Sequence, residues 1–321
     1  MPRSYRVADN IRGRQWLWLA ALAVAAVWPW FSGPFVLHLA VLTCLNILIV
    51  NGLAIVGRSG QLSFGHAAFV AIGAYVSVLL SSLYGWNILV SGITGMAFAA
   101  LFAFALGWVI LRLKGVYFVL VTFSFGELMR LALLDWSELT GGANGIANIA
   151  PAEILGFVFD TRDRFYGLAL LVAILSILFV RRLFGSALGQ AIDAVSDNPA
   201  LAESTGLSVN RIQLAAFVMG CAMAALGGVL LARYIGFISP ESFNPALSIA
   251  FIIMLVIGGR QSAWGPLVGA MVLTPLPELF RGAVQTQHIF YGAALILILR
   301  FMPGGLISLT SQFKRLAGKL P

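Results

Sequence analysis

Five polar side chains lie inside stretches of this chain that are otherwise apolar. Glu127 and Arg130 are three residues apart, so on a helix they share one face and can form an ion pair. An unpaired charge at the centre of a bilayer costs at least ~2.5–3.5 kcal/mol on insertion scales, and pairing offsets much of that. Gln61, Ser63 and His66 interrupt a second apolar stretch. Such groups can line a pathway for a small polar solute or join helices, and the residue types leave both interpretations open.

The backbone around Gln61, Ser63 and His66 is predicted to be broken. Glycines and polar side chains in residues 60–66 disfavour a continuous lipid-facing helix. Irregular backbone near membrane depth is tolerated only where protein or a water-filled path surrounds it. We therefore expect these three side chains to face inward, as a polar hinge near a pathway or as contacts between helices.

One long polar segment, residues 184–206, separates two apolar stretches, and its composition favours helix. Pro199 follows Asn198 and suits the first turn of a second short helix. The acidic residues keep the segment in water, while the apolar residues between them can dock in a groove. Because Gly206 has no Cβ, it permits the turn back towards the next span. The segment therefore predicts a binding surface for another protein, with the candidate contact residues Asp193, Asp197, Asn198, Pro199, Glu203 and Gly206.

Several kinds of chemistry have no signature in the sequence. It contains no Gly-x-x-x-x-Gly-Lys-[Ser/Thr] loop for a nucleotide phosphate, and no Ser/His/Asp or Cys/His set that suggests catalysis. His38 and His66 are far apart and have no companions, so no metal site is predicted, and no cofactor. A chain of carboxylates for proton coupling is also lacking. A transporter with this sequence must take its energy from elsewhere.

Composition indicates an all-α polytopic membrane protein. Hydrophobic residues make up 60% of the chain and charged residues 10%, and the mean hydropathy is +0.95. A soluble domain has roughly a quarter charged residues. The formal net charge of +8 comes mainly from short loops beside apolar runs, which is a topology signal. The partner that composition predicts is therefore a lipid bilayer, and not nucleic acid.

The apolar runs predict about ten transmembrane helices, since each span needs roughly 20 residues. Lys and Arg gather in alternate loops, which places both termini in the cytoplasm and requires an even number of spans. The predicted spans are 16–31, 35–56, 65–84, 87–111, 116–134, 165–180, 212–236, 244–258, 262–280 and 289–306.

These spans divide the chain into a cytoplasmic amino-terminal segment (1–15), a transmembrane domain (16–308) and a cytoplasmic tail (309–321). Within the domain, residues 135–164 form the largest external loop. It carries the turn-forming sequence LTGGANG, and either contacts an external partner or is a plain connection. Residues 181–211 form the polar cytoplasmic loop.

Five blocks of the sequence form a recognisable set. The first, at residues 60–75, reads GQLSFGHAAFVAIGAY, and the others lie at 112–130, 140–146, 185–206 and 301–306. In their order and spacing, these blocks resemble those of branched-chain amino acid ABC transporter permeases of the LivM/LivH family, and the LivM branch more than LivH.

The resemblance implies a subunit with no catalytic residues in an importer of the bacterial inner membrane. Its partners would be a second, LivH-like permease, two cytosolic ABC ATPase subunits and a periplasmic substrate-binding protein. The ATPases would push on residues 185–206. That block departs from the family at Gly189, where an Arg is usual, so it brings less positive charge to the ATPase.

The substrate remains open at this point. Branched-chain or related hydrophobic amino acids fit the resemblance best, while related permeases carry urea, short amides or other small polar solutes. A different class, a self-contained channel or secondary transporter, is the second hypothesis. Copurification with a soluble ATPase separates the two classes.

Overall fold

A computed structural model describes residues 27–113, 115–154 and 156–276. Of the first predicted span, 16–31, it shows a 3₁₀ turn at Trp28–Phe31. The terminal segments 1–15 and 309–321, the predicted span 289–306 and the last family block at 301–306 lie outside the described residues.

Seven segments of the described chain are long and apolar enough to cross a bilayer. Five of them precede the polar loop and one follows it directly, and each of these six agrees with a predicted span. The seventh segment, Pro240–Gly258, consists of a 3₁₀ turn at Pro240–Phe243 and the helix that follows it. These helices are α1 Pro34–Arg58, α2 His66–Tyr84, α3 Ile88–Ile110, α4 Val116–Asp135, α5 Arg162–Phe184, α8 Val209–Ile235 and α9 Pro245–Gly258.

Three shorter helices and a single helical turn complete this set. α6 Ala187–Asp197 and α7 Pro199–Ser204 form the polar loop between α5 and α8. α10 Gly265–Leu273 begins within the predicted span 262–280, of which the structure describes residues up to 276. A one-turn helix at Ser137–Thr140 follows α4. The helical membrane class is thus confirmed, and ten spans remain a prediction.

α8 lies at the centre of the bundle and packs along α1, α2 and α3. Small residues permit this close approach, as expected where helices meet in a membrane. A Cβ on Gly228 would overlap the carbonyl oxygen of Val70 in α2, and one on Gly73 would overlap the backbone of Ala225. Along α1, Gly52 and Gly220 face each other in the same way. These glycines fix how near α1 and α2 lie to α8.

The chain between α1 and α2 re-enters the bundle as irregular backbone, as the sequence predicts. His66, the first residue of α2, has its Nε2 atom 3.2 Å from the carbonyl oxygen of Ile49 in the middle of α1. Nine residues of helix separate Ile49 from the end of α1, which corresponds to about 14 Å. The peptide N–H groups here find partners inside the protein: that of Phe64 donates to Thr122 Oγ1 (3.1 Å) and that of Ala67 to Ser248 Oγ (3.0 Å).

Four very short strands lie at the end of the bundle where α4 and α8 finish. β1 (Ile146–Ala147) pairs antiparallel with β4 (Phe237–Ile238). β2 (Ala152–Ile154) pairs antiparallel with β3 (Phe157–Phe159). The all-α prediction did not include them, because two- or three-residue strands leave no periodic pattern. They fold the predicted external loop against the bundle, where Arg233 Nη1 donates to the carbonyl oxygen of Ala150 (3.0 Å).

Candidate functional site

The polar loop between α5 and α8 is a pair of capped helices. Ser186 precedes α6, and its hydroxyl oxygen accepts from the N–H of Gly189. Asn198 ends α6 and caps α7, because its Oδ1 accepts from the N–H of Leu201 at 3.1 Å. Pro199 occupies the first turn of α7. The predicted second helix at Asn198-Pro199 is thus confirmed, and local capping determines where it begins.

This helix pair buries one face and exposes the other. Ile192 and Val195 in α6 are fully buried, and Ala202 in α7 is nearly so. These apolar residues pack against their own bundle, so they are not available to a partner, contrary to the expectation that they dock in a groove of one. The opposite face exposes Asp197 and Glu203, and with them Leu201, whose exposed fraction is 62%.

An ion pair anchors α6 to the end of α1. Arg58 donates through Nε to Asp193 Oδ1 (2.5 Å) and through Nη2 to Asp193 Oδ2 (2.8 Å). The Arg58 guanidinium also lies over the ring of Phe184, 4.0 Å from its centroid. Both side chains are partly buried, with exposed fractions of 20% and 38%. Asp193 therefore faces the bundle, where Arg58 neutralises its carboxylate and holds it with two charge-assisted hydrogen bonds.

Gly206 ends the helix pair with a left-handed backbone conformation. Its φ is +88°, which L-residues with a side chain rarely adopt. Its N–H bonds to the carbonyl oxygen of Glu203 (3.0 Å), and the N–H of Leu207 to that of Ala202 (3.1 Å). No atom lies within 4 Å of a Cβ built on Gly206. Glycine is required here by the backbone and not by lack of space.

The structure buries the three polar residues before α2 inside the bundle. Ser63 and His66 are fully buried and Gln61 is 6% exposed. Ser63 Oγ and His66 Nδ1 have no hydrogen-bond partner among the described residues. The segment packs on α4, since a Cβ on Gly65 would overlap the carbonyl oxygen of Thr122. The inward orientation predicted for these side chains is thus confirmed.

Glu127 and Arg130 form the predicted ion pair, and a third residue joins it. Arg130 Nε lies 3.0 Å from Glu127 Oε2, and Arg130 Nη1 lies 2.5 Å from Glu241 Oε1. Glu241 belongs to the 3₁₀ turn before α9, so the cluster ties α4 to the chain that enters α9. Within the described residues, no hydrogen bond or ion pair connects this cluster with Gln61, Ser63 or His66.

Replacing Arg130 by glutamine is expected to destabilise the protein more than replacing Glu241 by glutamine. The first change leaves two carboxylates facing each other without a cation, while the second leaves the Glu127–Arg130 pair intact. Arg130 is 15% exposed and Glu241 is 61% exposed, so we expect a loss of about 2 kcal/mol for R130Q and below about 1 kcal/mol for E241Q. Thermal unfolding in detergent measures the difference. Equal effects would show that the cluster does not depend on its cation.

Three residues of these sites were missed from the sequence. Arg58 was included only among the Lys and Arg residues that indicate the topology, although it is the one basic residue in the last turn of α1. Leu201 was overlooked because an isolated leucine in a polar helix has no distinctive spacing. Glu241 is 111 residues from Arg130, and no local pattern relates them.

Long apolar helices, broken backbone at membrane depth and a capped helix pair at one end define a polytopic membrane transport protein. The profile of the family described as "branched-chain amino acid transport system / permease component" matches residues 35–299. The chain belongs to this family, and it is a permease subunit of an ABC import system.

Individual relatives agree with the family. The high-affinity branched-chain amino acid transport system permease protein LivM of Escherichia coli (strain K12) is 36% identical, over 94% of this chain and 77% of that protein. LivH of the same strain is 27% identical, over 81% of this chain and 90% of that protein. A probable LivM of Methanocaldococcus jannaschii is 24% identical, over 81% and 83% respectively. No solved structure matches the chain.

Proposed function

We propose that this permease carries branched-chain or related hydrophobic amino acids across the bacterial inner membrane. The relatives named LivM and LivH support this substrate class. The agreement with LivM extends over nearly the whole chain, so it includes the membrane helices and the polar loop alike. ATP hydrolysis takes place in separate subunits.

The observation that carries the proposed coupling to ATP hydrolysis is the attachment of α6 and α7 to the bundle. α6 contacts α1, α5 and α8, and Arg58 binds Asp193 with two hydrogen bonds. An ATPase docked on the exposed face of this helix pair would displace three spans together. ATP-driven closure of two such ATPases would then switch the bundle between outward-open and inward-open states. Asp197, Asn198, Pro199, Glu203 and Gly206 shape the docking face.

The proposed complex has two permeases, two cytosolic ABC ATPases and a periplasmic substrate-binding protein. The second permease is LivH-like. In this arrangement residues 135–164 face the periplasm, where the binding protein delivers its substrate, and residues 181–211 face the ATPases. Segments 1–15 and 309–321 flank the 16–308 transmembrane domain on the cytoplasmic side.

We propose that the translocation path runs past Gln61, Ser63, His66, Glu127 and Arg130 towards the second permease. Their separation into two groups supports a path with dispersed polar contacts over one with a single deep site. A zwitterion needs polar groups while it crosses, but a tightly binding site would keep it from leaving. Opening of the path would require the packed segment before α2 to move relative to α4.

Reporter fusions test the proposed topology of ten spans. A fusion after Lys319 is expected to be active as a cytoplasmic reporter, and a fusion near Ala150 as a periplasmic one. The reason is the distribution of Lys and Arg among the short loops. Paired alkaline phosphatase and green fluorescent protein fusions measure both sites. A periplasmic carboxyl terminus would contradict this topology.

Two alternatives are separated from the proposal by direct measurements. A permease of the same family for urea or short amides would take up labelled urea in preference to labelled leucine. A self-contained channel or secondary transporter would not copurify with a soluble ATPase. We expect an affinity-tagged chain to retain such an ATPase. If the ATPase is no longer retained when the exposed Leu201 is replaced by glutamate, the contact lies on α7.

A further inference from the structure

A groove lies between the end of α3 and the start of α8, beside α7. Its volume is about 360 Å³. α3 and α8 supply most of its wall, and α7 supplies one side chain. The charged and large apolar residues that line the groove are Trp108, Leu111, Arg112, Glu203, Arg211 and Leu214.

The groove carries two arginines that are not engaged elsewhere. Arg112 and Arg211 are exposed, and neither forms an ion pair or a side-chain hydrogen bond with another described residue. Arg58 and Arg130, by contrast, are each bound to carboxylates. Among the described residues that line the groove, Glu203 is the one acid and Arg112 and Arg211 are the bases, so this lining has an excess of positive charge. A guanidinium offers a planar pair of donors that matches the oxygens of a phosphate.

The other side of the groove is apolar. Leu111 and Leu214 are buried in its wall, and Trp108, in the last turn of α3, is 60% exposed. α3 also exposes other large apolar side chains along its length, such as Leu101 and Phe104. Tryptophan at the end of a span is typical of the membrane–water interface. The groove thus combines an apolar wall that continues along the exposed apolar face of α3 with a positively charged rim.

We propose that this groove binds an anionic phospholipid of the cytoplasmic leaflet. The phosphate lies between Arg112 and Arg211, and an acyl chain follows the exposed side of α3 past Trp108. The leaflet assignment rests on the proposed topology. Because Glu203 of α7 also lines the groove, the bound lipid lies against the docking helix pair and opposes a shift of α7 towards α3.

Lipid retention by the purified chain tests this site. The full-length protein, with any subunits that accompany it, is exposed to equal amounts of phosphatidylglycerol and phosphatidylethanolamine in detergent, and retained lipid is counted by native mass spectrometry. Wild type is expected to prefer phosphatidylglycerol. Each arginine at a membrane surface contributes roughly fivefold to anionic-lipid affinity, so R112Q/R211Q should lose about twenty-five-fold.

Matched variants distinguish lipid binding in the groove from a general effect of surface charge and from a loss of binding caused by misfolding. R182Q removes the same charge from the last turn of α5, outside the groove, and should retain the lipid as wild type does. R112K/R211K keeps both charges and should recover most of the binding. E203Q removes the acid of the lining and should increase retention about fivefold, a gain that misfolding cannot produce.

Three results would overturn the proposal. These are equal retention of the two lipids by wild type, an equal loss in R182Q and in R112Q/R211Q, and displacement of the lipid by soluble glycerol phosphate, which would indicate a site for free phosphate. The measurement needs neither ATP nor substrate. A failed lipid site therefore leaves the transport function untouched, and a failed transport assay leaves the lipid site standing.

Discussion

Replacing Gly206 by valine is expected to abolish transport while the protein still inserts into the membrane. At a φ of +88°, a left-handed conformation costs an L-residue roughly 1–2 kcal/mol, and a β-branched side chain is a true outlier there. The new side chain meets no steric clash, because a Cβ at this position has no atom within 4 Å; the cost comes from the backbone conformation alone. The strain is therefore relieved by rotation of the backbone, which displaces α7 relative to α8. Substrate-stimulated ATP hydrolysis and uptake by the assembled transporter should both be lost.

Gly185 is the matched control for this variant. It lies at the other end of the same helix pair, its φ is −83°, and a Cβ there would meet other atoms only at ordinary contact distances. Gly185→Ala is therefore expected to transport as wild type does, whereas Gly206→Ala should already be impaired. Full transport by Gly206→Val would count strongly against the assignment of this segment to coupling.

Reversing the charge of Arg58 is expected to uncouple the transporter as well. Arg58→Asp places a second carboxylate against Asp193 and removes the cation that covers Phe184. Breaking a buried ion pair costs about 3–5 kcal/mol and an exposed one below about 1 kcal/mol. With exposed fractions of 20% and 38%, this pair lies between those limits, so we expect about 1–3 kcal/mol. α6 would then move without α1, and ATP hydrolysis would continue without uptake.

The reversed pair R58D/D193R is the informative second variant. If the ion pair itself transmits the movement, the double variant should recover a large part of the uptake that either single variant loses. Arg164→Gln serves as a control, because its pair with Asp160 is 54% exposed on both sides and lies at the start of α5. Normal uptake by both single variants, R58D and D193R, would contradict a coupling role for this contact.

The membrane helices could be predicted from the sequence because lipid imposes a strong and local requirement. The predicted span 65–84 is α2, His66–Tyr84, to within one residue. The span 165–180 was predicted too short, since α5 runs from Arg162 to Phe184. Hydropathy detects only the part of a helix that contacts lipid, and the charged turns at both ends of α5 continue the helix beyond it. Thr161 caps its beginning.

The partners of the polar residues could not be predicted in the same way. Arg58 and Asp193 are 135 residues apart, and their pairing depends on how α6 folds back under α1. Sequence spacing relates residues on one helix, as it did for Glu127 and Arg130. It does not show that Glu241 completes that pair. The broken backbone before α2 and the inward orientation of Ser63 and His66 were predictable from the glycines and polar residues there, but the helices that enclose these side chains, α1 and α4, were not.

Uptake by reconstituted transporter tests the proposed function most directly. Proteoliposomes are prepared that contain both permeases and both ATPases. The binding protein and labelled leucine are added on the periplasmic side of the transporter, and uptake is measured with and without ATP on the ATPase side. We predict saturable leucine uptake that requires ATP and the binding protein, is competed by isoleucine and valine, and disappears when the ATPases are omitted. Leucine uptake by the permeases alone, without ATP, would contradict it and indicate a channel or a secondary transporter.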